Sequence, residues 1–285
     1  MCIRDSHTCA SDGTLDPGQL VACVCEAGVR TFSVTDHDTI AGVPAAAAHA
    51  RAAGLEFLPG IEITAVWEGR DVHMLGYFLD EDPPGLGAFL TAQRQDRTQR
   101  VRKMGSLLAQ LGMPIDVERL IEQGSSGRAL ARPLVARALV AAGHVSTAQE
   151  AFDRWIGDSR PAYVARQGAS PLEVVQLIRR SGGVAAVAHP GLLRRDQLVA
   201  ELIAGGLEAI EVFHSDHDQA MQTRYLALAR RRGLIVTGGS DFHGPGHHRA
   251  AKLGRVGPPR DQFEKLVERI GAVQATVQTD QAPAE

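Results

Sequence analysis

No run of apolar residues in this 285-residue chain is long enough to cross a bilayer, and no secretory signal opens it. That excludes a helical membrane protein. Cysteine is scarce: Cys2, Cys9, Cys23 and Cys25 all fall near the start, which is not the spacing of a disulfide framework. A reducing cytoplasm is the expected setting. Cys23 and Cys25 are two apart in a predicted helix and cannot share a face, so they read as small packing residues. Charge of one sign is also missing. A net charge of −3 argues against binding nucleic acid through bulk charge, and stable duplex DNA binding is not expected. Internal repeats and low-complexity tracts are absent. What remains is 44% hydrophobic with a mean hydropathy of −0.09, the composition of an ordinary globular protein large enough to bury a core.

Short apolar runs at Thr31–Thr35, Ile61–Val66, Gly183–Ala188 and Leu234–Thr237 predict buried strands. Between them lie helical patterns at Asp16–Gly28, Val43–Ala53, Pro171–Arg180, Asp196–Ala204 and Asp218–Arg232, with a last helix near Arg260–Ile270. Phe57–Trp67 and Asp71–Leu79 read as two strands joined by a turn at Glu68–Gly69, and Leu207–Phe213 as another strand. Residues 83–165 break this rhythm. Val101, Met104, Leu108 and Leu111 recur at helical spacing, a Gly-rich turn follows at Gly124–Gly127, and helices are predicted around Leu134–Ala142 and Ala148–Ile156. The organisation is therefore an α/β part over 1–82, a helical insertion over 83–165, a second α/β part over 166–274, and a disordered tail over 275–285.

Ligand-type side chains stand at or just after the strands: His7, Asp12, His37, Glu62, His73, His189, Asp241 and His243. Strand ends separated by helices bring such residues to one shared pocket. In Thr35-Asp36-His37-Asp38, three polar residues follow an apolar strand, which favours a site over packing. Ser240-Asp241-Phe242-His243 follows Thr237-Gly238-Gly239; the glycines admit close backbone approach, and the i, i+2 spacing turns Asp241 and His243 to one side. Glu62 is an acid inside an apolar strand, where burial costs several kcal/mol unless it is paired or metal-bound, of order 2–7 kcal/mol even for a neutral polar group. His189 alone is an even choice between ligand and packed histidine, and His73 alone is weak. Imidazoles mixed with carboxylates suit Zn, Mn or Fe better than Ca or Mg, and the set is too large for one ion. His49, His247 and His248 read as surface residues. His214 and His217 follow a strand and face the right end, with contact to substrate and packing left open. From Pro83 to Arg166, twelve Lys/Arg outnumber seven Asp/Glu. Arg97 and Arg100 share a helix face, and Arg132 stands before Pro133 at a helix start; a solvated basic face and a phosphate clamp are the competing readings.

His7-Thr8, Ser11-Asp12-Gly13-Thr14-Leu15, Thr35-Asp36-His37-Asp38-Thr39, Gly60-Ile61-Glu62-Ile63, Val72-His73-Met74-Leu75-Gly76, Ala188-His189-Pro190 and Gly239-Ser240-Asp241-Phe242-His243-Gly244 occur in that order. Over nearly the whole chain this resembles the polymerase-and-histidinol-phosphatase (PHP) superfamily of metal-dependent phosphoesterases. Arg97-x-x-Arg100 and Arg132-Pro133 are most similar to the branch that acts on nucleoside 3′,5′-bisphosphates and on short 5′-phosphorylated RNA. The resemblance implies a distorted seven-stranded β/α barrel with a helical insertion. It implies two to three divalent ions, manganese first, with zinc or iron as alternatives. One ion would take Asp12, His37 and His243; a second would take His73 and His189, with Glu62 bridging to a third on His7 and Asp241. At the first motif the sequence departs from the family: Asp5 stands where a histidine ligand belongs, and the strand before it is nearly missing. Met1–Ser6 is then either a foreign start or carries Asp5 as a substitute ligand. The implied reaction is hydrolysis of nucleotide phosphate esters by a hydroxide on the metals. Arg132, with Arg97 or Arg100, would hold a substrate phosphate, and His217 or His214 would meet the substrate or protonate the leaving oxygen. A histidinol-phosphatase-like enzyme and a non-catalytic nucleotide-binding relic are the alternatives.

Overall fold

The computed structural model of the chain describes residues 2–3, 5–125, 130 and 132–281. The chain divides into two compact units, one of Met1–Trp67, Asp71–Gly87 and Ala169–Glu285, the other of Glu68–Arg70 and Ala88–Gly168.

The first unit is mixed α/β. Strands β1 (Cys2–Ile3), β2 (Thr31–Phe32) and β3 (Glu56–Phe57) form a parallel sheet of three. Strands β4 (Gly60–Trp67), β5 (Arg70–Tyr77), β6 (Val184–Val187), β7 (Ala209–His214) and β8 (Ile235–Gly239) form a sheet of five in that order. Strand β5 runs antiparallel to β6, while β6, β7 and β8 are mutually parallel, with a bulge between Glu211 and Phe213. The first strand, nearly missing from the sequence pattern, is a two-residue strand paired with Thr31 and Phe32.

The expectation was a single seven-stranded barrel; the regular ladders form two sheets. The reason lies in the polar residues after Phe32, which exchange ladder bonds for side-chain bonds such as Thr8 N–H to Asp36 Oδ1 at 2.7 Å. Backbone contacts nevertheless continue past the strands. His7 N–H donates to Phe242 C=O at 2.8 Å and Asp241 N–H to Asp5 C=O at 3.1 Å. Asp38 N–H donates to Glu62 C=O at 2.9 Å and Glu62 N–H to Asp36 C=O at 3.2 Å. Gly239 makes the β1–β8 approach feasible, because a Cβ there would lie 2.5 Å from the Asp5 backbone.

The helices start and stop where their caps dictate. Asp16 and Gln19 form a capping box ahead of Pro17–Glu26, whose Leu20, Val21 and Val24 are buried with Phe32, Val34, Ala46 and Ala50. Ser170 and Glu173 do the same for Pro171–Arg180, and Asp218 caps Gln219–Arg232, which ends at a left-handed Gly233. The last helix runs over Arg260–Gln281, beyond both the predicted end at Ile270 and the expected disorder from Ala275. Val273 and Val277 continue the apolar stripe of Phe263, Leu266 and Ile270 against Leu75, Tyr77 and Ala209, so the stripe outlasts the polar composition of the tail. Residues 282–285 of that tail lie outside the described residues.

The second unit is helical among the described residues, with Leu86–Gln110 leading into it, then Val117–Ser125, Arg132–Ala141 and Ala148–Ala151. The predicted helix Ala148–Ile156 finishes as a π-turn over Phe152–Ile156. Val101, Met104, Leu108, Val135, Leu139 and Ile156 form the unit's core. Leu111, expected in the same stripe, lies past the helix end and is exposed. Of the turn expected at Gly124–Gly127, the first two residues belong to the helix Val117–Ser125 and the last two lie outside the described residues. Among the described residues no helix is long and apolar enough to cross a membrane.

Leu75 is fully buried where the last helix meets β5 to β7. Leu75→Ala is expected to cost about 2–5 kcal/mol through lost burial and a residual cavity. Urea unfolding checks this as a lower midpoint at an unchanged slope.

Candidate metal centre

Three residues around the centre have backbone conformations that L side chains rarely adopt: Asp38 (φ 51°), His189 (φ 29°) and Asp241 (φ 50°). Each costs of order 1–3 kcal/mol and persists only where neighbours hold it. Those holders are visible. Asp38 accepts from the N–H (2.9 Å) and hydroxyl (3.0 Å) of Thr64. The buried Glu211 carboxylate accepts from His189 N–H at 2.7 Å. Asp36 accepts from Thr8 N–H, Thr8 Oγ1–H and Ser11 Oγ–H, each at 2.7 Å, and so fixes the loop between His7 and Asp12.

The carboxylate of Glu62 is the hub. Its Oε1 lies 2.7 Å from His73 Nδ1 and 3.3 Å from His189 Nε2; its Oε2 lies 3.3 Å from His7 Nε2 and 3.5 Å from His37 Nδ1. His7 Nε2 also faces Asp5 Oδ1 at 3.3 Å and Asp241 Oδ1 at 3.1 Å. His243 Nε2 is 3.2 Å from Asp12 Oδ1. Ligand atoms thus gather in four overlapping groups, each within 4.8 Å: His7, Asp12, His37 and His243; His37, Glu62 and His73; Asp5, His7, Glu62 and Asp241; and Asp5, Glu211 and His214. The centre is layered. Asp5, His7 and Glu62 are buried, whereas the side chains of Asp12 (51%) and His73 (28%) are exposed and form its open rim.

Several of these atoms are buried yet have no hydrogen-bond partner: both ring nitrogens of His7, His37 Nδ1, His189 Nδ1, Glu62 Oε2 and Asp5 Oδ2. Buried polar atoms left unpaired are costly and rare, and here they converge on shared points. Imidazole nitrogens and carboxylate oxygens so arranged fit divalent cations. Among the described residues, Asp5 belongs to this set on geometry, buried and facing His7.

The charges respond to one another. Burial alone would raise the Glu62 carboxyl, but the surrounding imidazoles, His37 and His73 first and then His189 and His7, hold it well below the usual range. Burial would lower His7, yet Asp241, Asp5 and Glu62 outweigh it and hold the ring well above the usual histidine range. His73 and His243 are raised too, their carboxylate neighbours again overcoming burial, whereas burial keeps His37 low. Glu211 is pushed well up by burial and by Asp5.

The remaining predicted site residues fall elsewhere. His217 is buried, with Nδ1 bonded to Val212 C=O at 2.8 Å and Nε2 accepting from Gly191 N–H at 3.2 Å. Both nitrogens are thereby committed, which leaves no proton for a leaving group. His214 Nδ1 accepts from Asp216 N–H at 3.1 Å and its Nε2 faces Asp241 Oδ2 at 3.4 Å, which turns the ring toward Asp5, Glu211 and Asp241. In the helical unit, Arg132 pairs with Asp158 at 2.6 Å and lies over the rings of Phe152 and Tyr163. Arg97 and Arg100 line a cleft with Lys103 and Arg166, and Arg100 Nε donates to Val164 C=O at 2.8 Å.

Sequence reasoning missed Glu211, Arg249, Asp216 and the placement of His247. Glu211 is an acid in an apolar strand, the same signal that singled out Glu62. His247, read as surface, lies beside the His243 ring with centroids 4.9 Å apart and the planes tilted by 34°. Arg249 donates to Asp241 and Asp216 from a loop without periodicity, where the sequence carries no signal.

Residues 5–156 match the PHP domain. The 3′,5′-nucleoside bisphosphate phosphatase of Chromobacterium violaceum is 32% identical over 245 residues, covering 84% of this chain and 86% of that protein. The 5′-3′ exoribonuclease Rnm of Escherichia coli is 34% identical over 247 residues, covering 84% of each. Among solved structures, a protein assigned as a metal-dependent phosphoesterase from Bifidobacterium adolescentis superposes with a TM-score of 0.78 at 33% identity, covering 94% of this chain and 95% of that one.

Two outcomes are expected. Asp36→Ala strands three buried donors, each costing up to about 1–3 kcal/mol of stability, and by loosening the His7–Asp12 loop lowers Mn²⁺ affinity by roughly 10–100-fold; melting and calorimetric titration check both. For pH, His7, His73 and His243 hold protons above the ordinary value of 6.5 in the ion-free chain. Their stabilisation is complete below that value and is lost as pH rises through the raised ones. A cation must displace these protons, so its apparent affinity strengthens as pH rises, with proton release visible when titrations in buffers of different ionisation enthalpy are compared.

Proposed function

Because the chain belongs to the PHP domain family, a family of metal-dependent phosphoesterases, we propose that it hydrolyses terminal phosphate esters of nucleotides, namely nucleoside 3′,5′-bisphosphates and short 5′-phosphorylated RNA. The observation that carries this reading is the set of overlapping donor groups around the centre, two of which share Glu62, with buried, unpaired ligand atoms on Asp5, His7, His37, Glu62 and the adjacent His189. The sheets are read as parts of one distorted barrel, supported by the backbone bonds that join Asp5–His7 to Asp241–Phe242 and Asp36–Asp38 to Glu62.

We assign two to three divalent ions, manganese first. Asp12, His37 and His243 would hold one, His73 and His189 with Glu62 a second, and Asp5, His7 and Asp241 with Glu62 a third. Such ions supply Lewis acidity, lowering the pKa of water and neutralising charge on the phosphoryl group. The protein's own part is positioning. Asp36 and Asp38 lock the segments that carry His7, Asp12, His37 and Glu62, and Glu211 holds the His189 backbone. The exposed rim of Asp12 and His73 is where a phosphate gains access. In the helical unit, the cleft of Arg97, Arg100, Lys103 and Arg166 is proposed to take a substrate phosphate; fixed guanidinium forks suit that geometry. With His217 bonded to backbone and His214 facing Asp241, side-chain proton donation has little share in the reaction.

The test is phosphate release from adenosine 3′,5′-bisphosphate with Mn²⁺, alongside histidinol phosphate. Turnover of the bisphosphate is expected, and preference for histidinol phosphate would reassign the substrate. Ions bound without turnover of either would make the domain a binding module. His37→Ala and Glu62→Ala are expected to lose bound ions and to reduce turnover by more than ~100-fold, beyond the loss of an outer partner. Wild-type rates in either variant would refute the assignment.

A further inference from the structure

The two oxygens of Asp241 do different jobs. Oδ1 faces the centre, 3.1 Å from His7 Nε2 and 3.3 Å from His243 Nδ1. Oδ2 faces away and receives two donors, Arg249 Nη1 and His214 Nε2, the latter at 3.4 Å. Neither donor is free to drift. Arg249 turns its remaining edge to Asp216 Oδ2, with Nε at 2.9 Å and Nη2 closer still. Asp216 in turn donates its backbone N–H to His214 Nδ1 at 3.1 Å, which places that ring's proton on Nε2, aimed at Asp241. The four residues close a ring, and Ser215 Oγ–H, bonded to Ser240 C=O at 2.7 Å, staples it to the segment that carries Asp241. The part of the ring next to the centre is shielded from water, with His214 buried and the Arg249 and Asp241 side chains 15% and 8% exposed, while Asp216 lies at the surface.

We infer that Arg249 is a positioning residue: with Asp216 and His214 it occupies Asp241 Oδ2 and restricts this ligand to one-oxygen coordination, biasing the centre against Ca²⁺. The inference rests on the metal-centre reading above and goes beyond it. A carboxylate with one oxygen taken by two donors cannot chelate through both. Ca²⁺ takes six to eight oxygens and commonly uses bidentate carboxylates. Ions that accept imidazole and fewer ligands lose nothing by the restriction. A guanidinium suits the task because its rigid planar fork holds two carboxylates at fixed angles, whereas the donors of an ammonium rotate at the end of a flexible stem.

Arg249 also carries charge, and removing it changes the affinity of any cation. Mn²⁺ and Ca²⁺ have the same charge, so this effect cancels in the ratio of their affinities, and the ratio reports ligation geometry. The experiment is competitive calorimetric titration of the metal-stripped full chain with Mn²⁺ and Ca²⁺, for the unsubstituted protein, Arg249→Gln and Asp216→Asn. Asp216→Asn keeps the Arg249 charge and loosens only its anchor, and it stands in if Arg249→Gln fails to fold. The expected result is a shift of the ratio toward Ca²⁺ by about tenfold in Arg249→Gln, the lower end of outer-partner effects, and a smaller shift the same way in Asp216→Asn. An unchanged ratio in the folded variants overturns the inference, whether the two affinities fall together or stay put. Failure of the unsubstituted chain to take up Mn²⁺ removes the metal-centre reading and this inference with it.

Discussion

A carboxylate buried among four imidazoles is the constraint on which the rest of this structure depends. Glu62 is 1% exposed, and an ionised acid at that depth is held only by charge that answers it. The histidines that do so come from four separate segments, those of His7, His37, His73 and His189. Each of them must therefore arrive at its strand end for any of them to be stable there. The α/β scaffold can be read as the device that brings these ends together. Its apolar strands and helices pack up to the centre, with Ala188 beside His189 and Phe242 between Asp241 and His243, and carry the stability that the centre consumes.

That consumption is local and identifiable. Left-handed backbone at Asp38, His189 and Asp241, together with unpaired buried nitrogens and oxygens, concentrates unfavourable terms within a few ångströms. Each strained residue is matched by a buried polar partner: Thr64 for Asp38, Glu211 for His189, and Arg249 with His214 for Asp241. The partners hold the backbone and side chains from outside, and the donor atoms of His189, Asp241 and their neighbours converge on the same small volume. A centre built this way is stiff before any ion arrives, which reduces the ordering an ion must impose.

Much of this was legible in the chain. The strand-end histidines and acids, the buried acid Glu62 and the paired motifs around His37 and His243 all marked themselves by polar residues breaking apolar runs. The helix boundaries followed from Asp16, Ser170 and Asp218 as caps. What escaped was whatever depended on distance in space. His214 and His217 sit three residues apart after one strand, and nothing in their spacing says that one supports Asp241 while the other is bonded to Gly191 and Val212. Arg249 gains its meaning only from Asp216, 33 residues earlier. Glu211 could have been found by the burial argument applied to Glu62. The length of the last helix was hidden because Val273 and Val277 are embedded in a polar, Gln-rich stretch.

The contacts that join Asp5–His7 to Asp241–Phe242 also bear on when the protein can become itself. These segments are separated by nearly the whole chain, so a ribosome making ~5–20 residues per second releases the second some ten seconds or more after the first. Throughout that interval the early ligands have no partners, and the hydrogen bonds that close the structure do not yet exist. Long-range pairing of this kind is intrinsically slow to form. The centre is accordingly assembled only once synthesis has passed Asp241 and Phe242, and a chain broken off before Asp241 never acquires it.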